Sequence, residues 1–307
     1  MPNVNVSIII INYNTKALTM QSIDSIITTT KEVAYEIIVV DNSSKAKEVI
    51  DTKTLESINR EQKFERLVRI QAFKTENNGF SNGCNVGAKY TSGEMLLFLN
   101  SDVIVKEQAI DKAYAYMAAK SDIGVLGIKV LLRDGSLDHG CKRGFPTPKN
   151  SFYYFMGFDK RWPENKKYGG YRLNYLPNDQ INEVDSVSGA YLMVQKSIFE
   201  SINGFDESFF MYGEDLDFCF RIKEDGYKVI YYPKVWIIHL KGQSGLNKTS
   251  DTTLFHFYNS MVIFYDKHYK RKYGLIISTV IHGAVWGRYL MHKAKNSRLK
   301  ETGAKVD

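Results

Sequence analysis

The sequence predicts an α/β fold built on a parallel sheet, and three observations carry that expectation. Through residues 1–130 of the 307, short apolar runs alternate with segments of helical length. The apolar runs are near-continuous, Ile8-Ile9-Ile10-Ile11 and Met95-Leu96-Leu97-Phe98-Leu99 among them, as in strands covered on both faces. Each of these runs stops abruptly in polar residues. Asn12-Tyr13-Asn14 follows the first, Asp41-Asn42-Ser43-Ser44 the second and Asn100-Ser101-Asp102 the fourth. Open α/β sheets bind ligands outside the carboxyl ends of their strands, so these endings describe one site for a polar ligand.

Taken in order, a strand over 6–11 leads to a helix over 17–29, and a strand over 36–40 to a helix around 45–59. A strand over 67–72 precedes the Gly-rich turn 77–83, a helix running through Tyr90 and the strand 95–99. A helix over 106–119 and a strand near 124–130 close this half. From 133 to 183 the pattern fails: Gly, Pro, Lys and aromatic residues dominate, as in a long loop. Loops of that length are usually functional or mobile. Regularity returns at 184–194, in a helix over 214–225 that Gly226 terminates, and in strand segments over 228–232 and 235–240.

A hydrophobic content of 44% supplies a sizeable core, and 20 Tyr and 17 Phe against 3 Trp offer ring surfaces to a sugar or base. Cys84, Cys141 and Cys219 are isolated, with no Cys-x-x-Cys pair, and read as reduced, buried thiols of a cytosolic protein. No secretory signal is expected, because 7–11 is too short for a signal core and no basic region precedes it.

The net charge of +7 is unevenly placed. Ten of the 41 Lys/Arg and three of the 34 Asp/Glu lie after Tyr265, which leaves the first 265 residues neutral. Nucleic-acid binding calls for basic residues along a groove or recognition element, so no nucleic-acid partner is expected. In the tail, Lys267 to Lys272 precede an apolar segment over 273–291 with Trp286 and Tyr289 near its end, and Lys293, Lys295, Arg298 and Lys300 follow. That is the pattern of a helix lying on an anionic leaflet. His282, Arg288 and the glycines make it a poor spanning helix. An ordinary docking helix with a solvated basic end accounts for the same residues. Gly283-x-x-x-Gly287 is a spacing that lets helices pack closely.

Absences narrow the chemistry. No glycine occurs before Gly79, so the dinucleotide fingerprint and the phosphate-binding P-loop are both missing after the first strand. Gly-x-Ser-x-Gly is missing too. What remains fits a nucleotide-sugar site. Asp41 can accept a hydrogen bond from the imide N–H of uracil or thymine. A diphosphate is ordinarily held by a divalent cation, with Asp102 supplying an oxygen ligand and His239 a nitrogen. Met211-Tyr212-Gly213-Glu214-Asp215-Leu216-Asp217 places three acids at the start of a helix. Capping and the helix dipole explain Asp217. For Glu214 and Asp215 the preceding turn favours a general base that takes the proton of an acceptor hydroxyl attacking a sugar anomeric carbon.

These residues carry a family resemblance. The chain resembles the inverting glycosyltransferases of family 2 with the GT-A fold, and within them the bacterial rhamnosyltransferase-like branch. The similarity runs from Val6-Ser7-Ile8-Ile9-Ile10-Ile11-Asn12-Tyr13-Asn14 through Val39-Val40-Asp41-Asn42-Ser43-Ser44. It continues in Asn77-Asn78-Gly79-Phe80-Ser81-Asn82-Gly83-Cys84-Asn85-Val86-Gly87, Phe98-Leu99-Asn100-Ser101-Asp102 and Val187-Ser188-Gly189-Ala190. Gly204-Phe205-Asp206-Glu207, the segment Phe210 to Asp217 and Ile238-His239 complete it. By resemblance, Asp41 contacts the base, Asp102 and His239 hold the metal, and Asp215 acts as base. Asn12, Tyr13, Asn14, Asn78, Asn100 and Ser101 belong to the donor site, Gly79, Phe80 and Asn85 lie near the ribose and sugar, and Gly189 and Ala190 line the sugar pocket. Two departures stand out: the usual Asp-x-Asp is Asn100-Ser101-Asp102, and Cys84 replaces an Arg that many relatives carry.

The resemblance implies a GT-A domain over 1–245, divided into a nucleotide-sugar half (1–130) and an acceptor and base half (131–245). A basic, aromatic helical region over 246–307 then associates with the membrane. The implied donor is dTDP-L-rhamnose or a UDP-sugar, the cofactor Mn²⁺ or Mg²⁺, and the acceptor a lipid-linked glycan of a surface polysaccharide. The implied place is the cytoplasmic face of the inner membrane, peripherally bound. A sugar nucleotidyltransferase and a non-catalytic nucleotide-sugar-binding scaffold are the rival readings. The first needs a Gly-rich loop that Asn12-Tyr13-Asn14-Thr15-Lys16 does not provide, and the second would tolerate losing Asp215.

Overall fold

The computed structural model describes residues 3–60, 66–240 and 250–301. The first half runs β1 (Val6–Asn12), α1 (Lys16–Thr29), β2 (Tyr35–Asp41), α2 (Thr52–Arg60), β3 (Leu67–Lys74), α3 (Phe80–Ala88), β4 (Met95–Asn100), β5 (Val103–Val105), α4 (Ala109–Ala118) and β6 (Ile123–Leu132). The second half adds α5 (Pro148–Phe155), α6 (Phe158–Arg161), β7 (Asn182–Glu183), β8 (Tyr191–Gln195), α7 (Lys196–Ser201), α8 (Glu214–Glu224), β9 (Lys228–His239), α9 (Asp251–His268) and α10 (Lys270–Glu301).

One nine-stranded sheet forms in the order β3-β2-β1-β4-β8-β6-β9-β5, with β7 added on β9. The strands β1 to β4 are mutually parallel where they pair. Beyond β4 the sheet is mixed, because β8 runs antiparallel to both β4 and β6, and β5 runs antiparallel to β9. Strand direction follows the path of each connection, which apolar patterning does not encode. The segments over 228–232 and 235–240 are one continuous strand, β9, whose register against β6 shifts between Ile128 and Lys129.

The apolar runs behave as their composition dictates. Ile8, Ile10, Ile37, Val39, Leu97 and Leu192 are all fully buried, between helices laid over the sheet. Each such side chain contributes about 1.5–3 kcal/mol relative to exposure. Cys84, Cys141 and Cys219 are buried and free.

The irregular stretch over 133–183 is a strap that carries its own short elements. Thr147 caps α5, its Oγ1 accepting from Asn150 N at 3.2 Å, with Pro148 in the first turn. Buried Lys142 ties the strap to itself by donating to the carbonyls of Leu173 and Leu176.

The expected domain boundary at 245 lies outside the described residues. Beyond it, α9 is seated on α8: Phe264, Tyr265 and Tyr269 pack with Phe209 and Leu216 in a second small core. Buried Asp217 fastens the two helices. Its carboxylate meets Arg221 Nε at 2.8 Å, Lys267 Nζ at 2.7 Å and His268 Nε2 at 2.8 Å. Burial would raise its pKa, but these hydrogen bonds and charges outweigh burial and hold it below the usual carboxylate range. Helix α10 kinks at Gly274 (φ +75°) and then presents Leu275 and Ile276, 78% and 84% exposed, to solvent. Among the described residues no helix is long and apolar enough to cross a membrane.

Candidate active site

The carboxyl ends of β1, β2 and β4 border a cavity of about 360 Å³, closed on its other side by the strap and the N-terminus of α8. Register explains how residues distant in sequence meet there. Asn100 ends β4, Ser101 and Asp102 turn the chain, and β5 then pairs antiparallel with β9 so that Val103 lies opposite His239. Asp102 Oδ1 consequently stands 3.1 Å from His239 Nε2. On the other flank, Leu132 of β6 is in register with His239, and a tight turn returns the chain so that Asp138 N donates to Val130 O at 2.9 Å. Asp138 Oδ2 then faces His239 Nδ1 at 3.4 Å. Burial favours the neutral imidazole, but the two carboxylates outweigh it and lift the His239 pKa to about 9. Asn100 Nδ2 lies 3.5 Å from the same Nε2, and Ser101 Oγ lies 3.2 Å from Thr15 Oγ1.

Across the cavity, Gly213 (φ +80°) begins α8 and sets Glu214 and Asp215 in its first turn, where the helix dipole favours carboxylates. Asp215 Oδ2 accepts from Gly189 N at 3.0 Å and from Arg143 Nη2 at 2.6 Å, and Oδ1 accepts from Leu216 N at 2.8 Å. Glu214 is buried with no hydrogen-bond partner on Oε2. Burial first, and the neighbouring Asp215 charge second, raise its pKa to about 8. Two adjacent acids on one helix therefore sit in opposite environments.

Tyr13, Gly79, Phe80, Asn100, Ser101, Asp102, Gly189, Ala190, Glu214, Asp215 and His239, all singled out from the sequence, share this cavity wall. Gly79 has φ +99°, and a Cβ there would come within 2.5 Å of Phe210 O, so only glycine admits this approach. Five expected residues are not on that wall. Asp41 is fully buried behind it, Oδ1 accepting from Ser43 N at 2.9 Å and Oδ2 from Ile50 N at 2.7 Å and Asn12 Nδ2 at 2.6 Å. Asp41 and Asn12 thus shape the turn after β2 and leave Asn42 to face the cavity. Asn14 (φ +56°) braces the same turn through Ser44 Oγ at 3.0 Å. Asn85 clamps α3 to the turn before α8, bonding Phe205 N and Phe205 O at 2.9 Å each. Asn78 is exposed beside Gly79. Sequence reasoning missed Asp138 and Arg143. Both lie in the strap, where no periodicity flags a functional side chain.

Carboxylate oxygen suits Mg²⁺ and Mn²⁺, imidazole nitrogen suits other divalent first-row metals, and Asp102 and His239 converge on the cavity, so these residues fit a divalent cation. Among the described residues no group of three or more His, Cys, Asp or Glu could hold such an ion alone.

Solved structures share the architecture. A complex of GalNAc-T7 with UDP, GalNAc and Mn²⁺ aligns with a TM-score of 0.58 at 17% identity, covering 85% of this chain and 48% of that one. The mannosyltransferase PcManGT from Pyrobaculum calidifontis, with GDP-Man and Mn²⁺, aligns at 0.58 and 14% identity, covering 99% and 77%. Fold and sequence together define a GT-A glycosyltransferase. More narrowly, the chain belongs to glycosyl transferase family 2, whose model matches residues 7–175, and a glycosyl transferase family group 2 model matches 170–288.

Among the curated relatives are rhamnosyltransferases by name. The rhamnosyltransferase WbbL of Escherichia coli is 30% identical over 52% of this chain and 60% of its own length. The N-acetylglucosaminyl-diphospho-decaprenol L-rhamnosyltransferase of Mycobacterium tuberculosis is 26% identical over 57% and 56%. The low-salt glycan biosynthesis hexosyltransferase Agl10 of Haloferax volcanii is 26% identical over 76% and 67%. The chain thus spans between about half and two thirds of these relatives' lengths.

Proposed function

We propose that this protein transfers a sugar, L-rhamnose from dTDP-rhamnose or a sugar from a UDP donor, with inversion onto a lipid-linked glycan. The observation that carries the reading is the pairing of Asp102 and His239 on one side of the cavity with Asp215 on the other. The base and ribose of the donor lie at Tyr13, Asn42 and Gly79, with Asp41 fixing the turn that presents Asn42. The diphosphate points toward Asp102 and His239, which would hold a divalent cation that neutralises the leaving group. Asp215 takes the proton of the acceptor hydroxyl, whose oxygen bonds the anomeric carbon as the bond from that carbon to the diphosphate oxygen breaks. The nucleoside diphosphate leaves with the electron pair, in a single displacement.

The lipid-linked acceptor is supported by the decaprenol-linked substrate in the name of the mycobacterial relative. Exposed Leu275, Ile276, Val280, Leu290 and Met291 on α10, next to Lys270, Arg271 and Lys272, support a helix lying on the cytoplasmic membrane face. Deleting residues after Lys272 is expected to move the protein from vesicle pellets to supernatant, and an unchanged distribution contradicts the membrane assignment.

Asp215→Asn tests the reaction. Transfer is expected to be abolished with nucleotide binding intact. Near-wild-type transfer in that variant overturns the function.

A further inference from the structure

Arg143 has no place in the reaction so far, yet it makes one of the shortest contacts at the site. Its Nη2 lies 2.6 Å from Asp215 Oδ2 and also donates to Val187 O at 3.0 Å. Its side chain is only 15% exposed, it borders the cavity, and its Nε is buried without a partner. A guanidinium so placed costs desolvation that its carboxylate partner must offset. The carboxylate it selects is the second of two neighbouring acids.

Like charges in one buried site do not both ionise cheaply. Which of Glu214 and Asp215 serves as acceptor is biased within the helix by Leu216 N, which bonds Asp215 Oδ1 while Glu214 Oε2 has no partner, and from outside it by Arg143. The other titratable groups facing the pair do not decide it. Tyr171 from the strap, Tyr212 from the turn before α8, Cys219 from α8 and Cys84 from α3 are all pushed upward by burial and stay neutral. Asp185, just past the strap, is engaged by Lys223 at 3.1 Å, and Asp138 faces His239.

Resting on the glycosyltransferase reading above, we propose that Arg143 is a positioning residue that sorts the two acids, orienting the Asp215 carboxylate as the proton acceptor while Glu214 Oε2 is left without a partner. The geometry suits the task. Arg143 and Gly189 N take the Oδ2 side and Leu216 N takes part of Oδ1. A carboxylate offers about four lone-pair sites, so one remains for an incoming hydroxyl. The strap thereby completes the base from the side of the cavity facing the strand ends.

The test follows release of nucleoside diphosphate from dTDP-rhamnose and a panel of UDP-sugars, across pH, with calorimetric binding of UDP and dTDP in parallel. Arg143→Ala is expected to lose turnover by about 100-fold or more while nucleotide affinity holds. Its acidic limb is expected to shift to higher pH, and added methylguanidinium to restore part of the rate. Arg143→Lys, which keeps the charge, is expected to fall between the two. Wild-type turnover and pH profile in Arg143→Ala overturn the proposal and leave the glycosyltransferase reading standing, provided Asp215→Asn is inert. Loss of nucleotide binding together with early melting, with no recovery in Arg143→Lys or by methylguanidinium, makes Arg143 structural and overturns it too. Turnover in Asp215→Asn equal to wild type removes both.

Discussion

The carboxyl edge of β1, β2 and β4 and the strap over 133–183 face each other across one cavity, and they hold their polar groups differently. At the sheet edge, polar side chains are satisfied across neighbouring strands: Asn12 at the end of β1 bonds Asp41 and Ser43 at the end of β2, and Asp102 after β4 meets His239 of β9. The strap works at long range. Asp138 reaches His239 of β9, and Arg143 reaches Asp215 of α8, 72 residues away. On the proposed reading, a regular scaffold fixes where the ligand lies, and the irregular segment orients the side chains that act on it. That division matches the common placement of functional groups on loops held by a rigid framework.

The largest expected effect tests whether the C-terminal helix α9 belongs to the scaffold. Asp217→Ala leaves Arg221, Lys267 and His268 around a buried position without their anion. A loss of about 3–5 kcal/mol in denaturant unfolding is expected. Asp217 has a depressed pKa, so its contribution is present above the unfolded-state value and is lost as pH falls through the lower folded one. A variant as stable as wild type at neutral pH would detach α9 from the scaffold.

A next, smaller effect sharpens the contrast between the two acids of α8. Folded Glu214 keeps its proton up to about pH 8, against 4.5 for the free side chain. Its folded pKa is raised, so the native state binds more protons in that window and stability falls as pH rises through it. Glu214→Gln removes this cost. The variant is expected to match wild type at low pH and to gain a few kcal/mol by pH 8, at roughly 1.4 kcal/mol per unit. A difference that does not change with pH contradicts the buried, unpaired carboxyl.

How much of this was legible beforehand depends on the same contrast. Strands such as 6–11 and 95–99 announce themselves because burial on both faces demands unbroken apolar runs, and their polar endings follow at once in sequence. Asp102, His239, Glu214 and Asp215, which the structure brings to one cavity wall, stood out because each sits at an element terminus. The antiparallel entry of β8 was not legible, since direction depends on the return path of a connection. Asp41, expected at the nucleotide base, lies buried in the turn after β2, and its neighbour Asn42 borders the cavity. Asp138 and Arg143 stayed hidden because their partners lie 101 and 72 residues away and no local pattern encodes either contact.

Two smaller perturbations separate edge from strap. Gly79→Ala forces a Cβ toward Phe210 O at a φ of +99°. A cost of about 2 kcal/mol or more is expected from the backbone conformation and the clash, read as a lowered Tm. Asp138→Asn weakens the carboxylate that orients His239. The 3.4 Å contact is long, so about tenfold weaker Mn²⁺ affinity is expected by calorimetry, with the fold unchanged. Equal affinity would confine the cation site to the sheet edge.

The central claim is that the strand-edge cavity binds a nucleoside diphosphate through Asp102 and a divalent cation. Calorimetric titration of UDP, dTDP, GDP and NAD, with and without Mn²⁺, into wild type and Asp102→Ala tests it most directly. The expected result is binding of UDP or dTDP that Mn²⁺ strengthens and Asp102→Ala abolishes. Binding of none of them, or binding of all four alike and indifferent to both Mn²⁺ and Asp102, would contradict it.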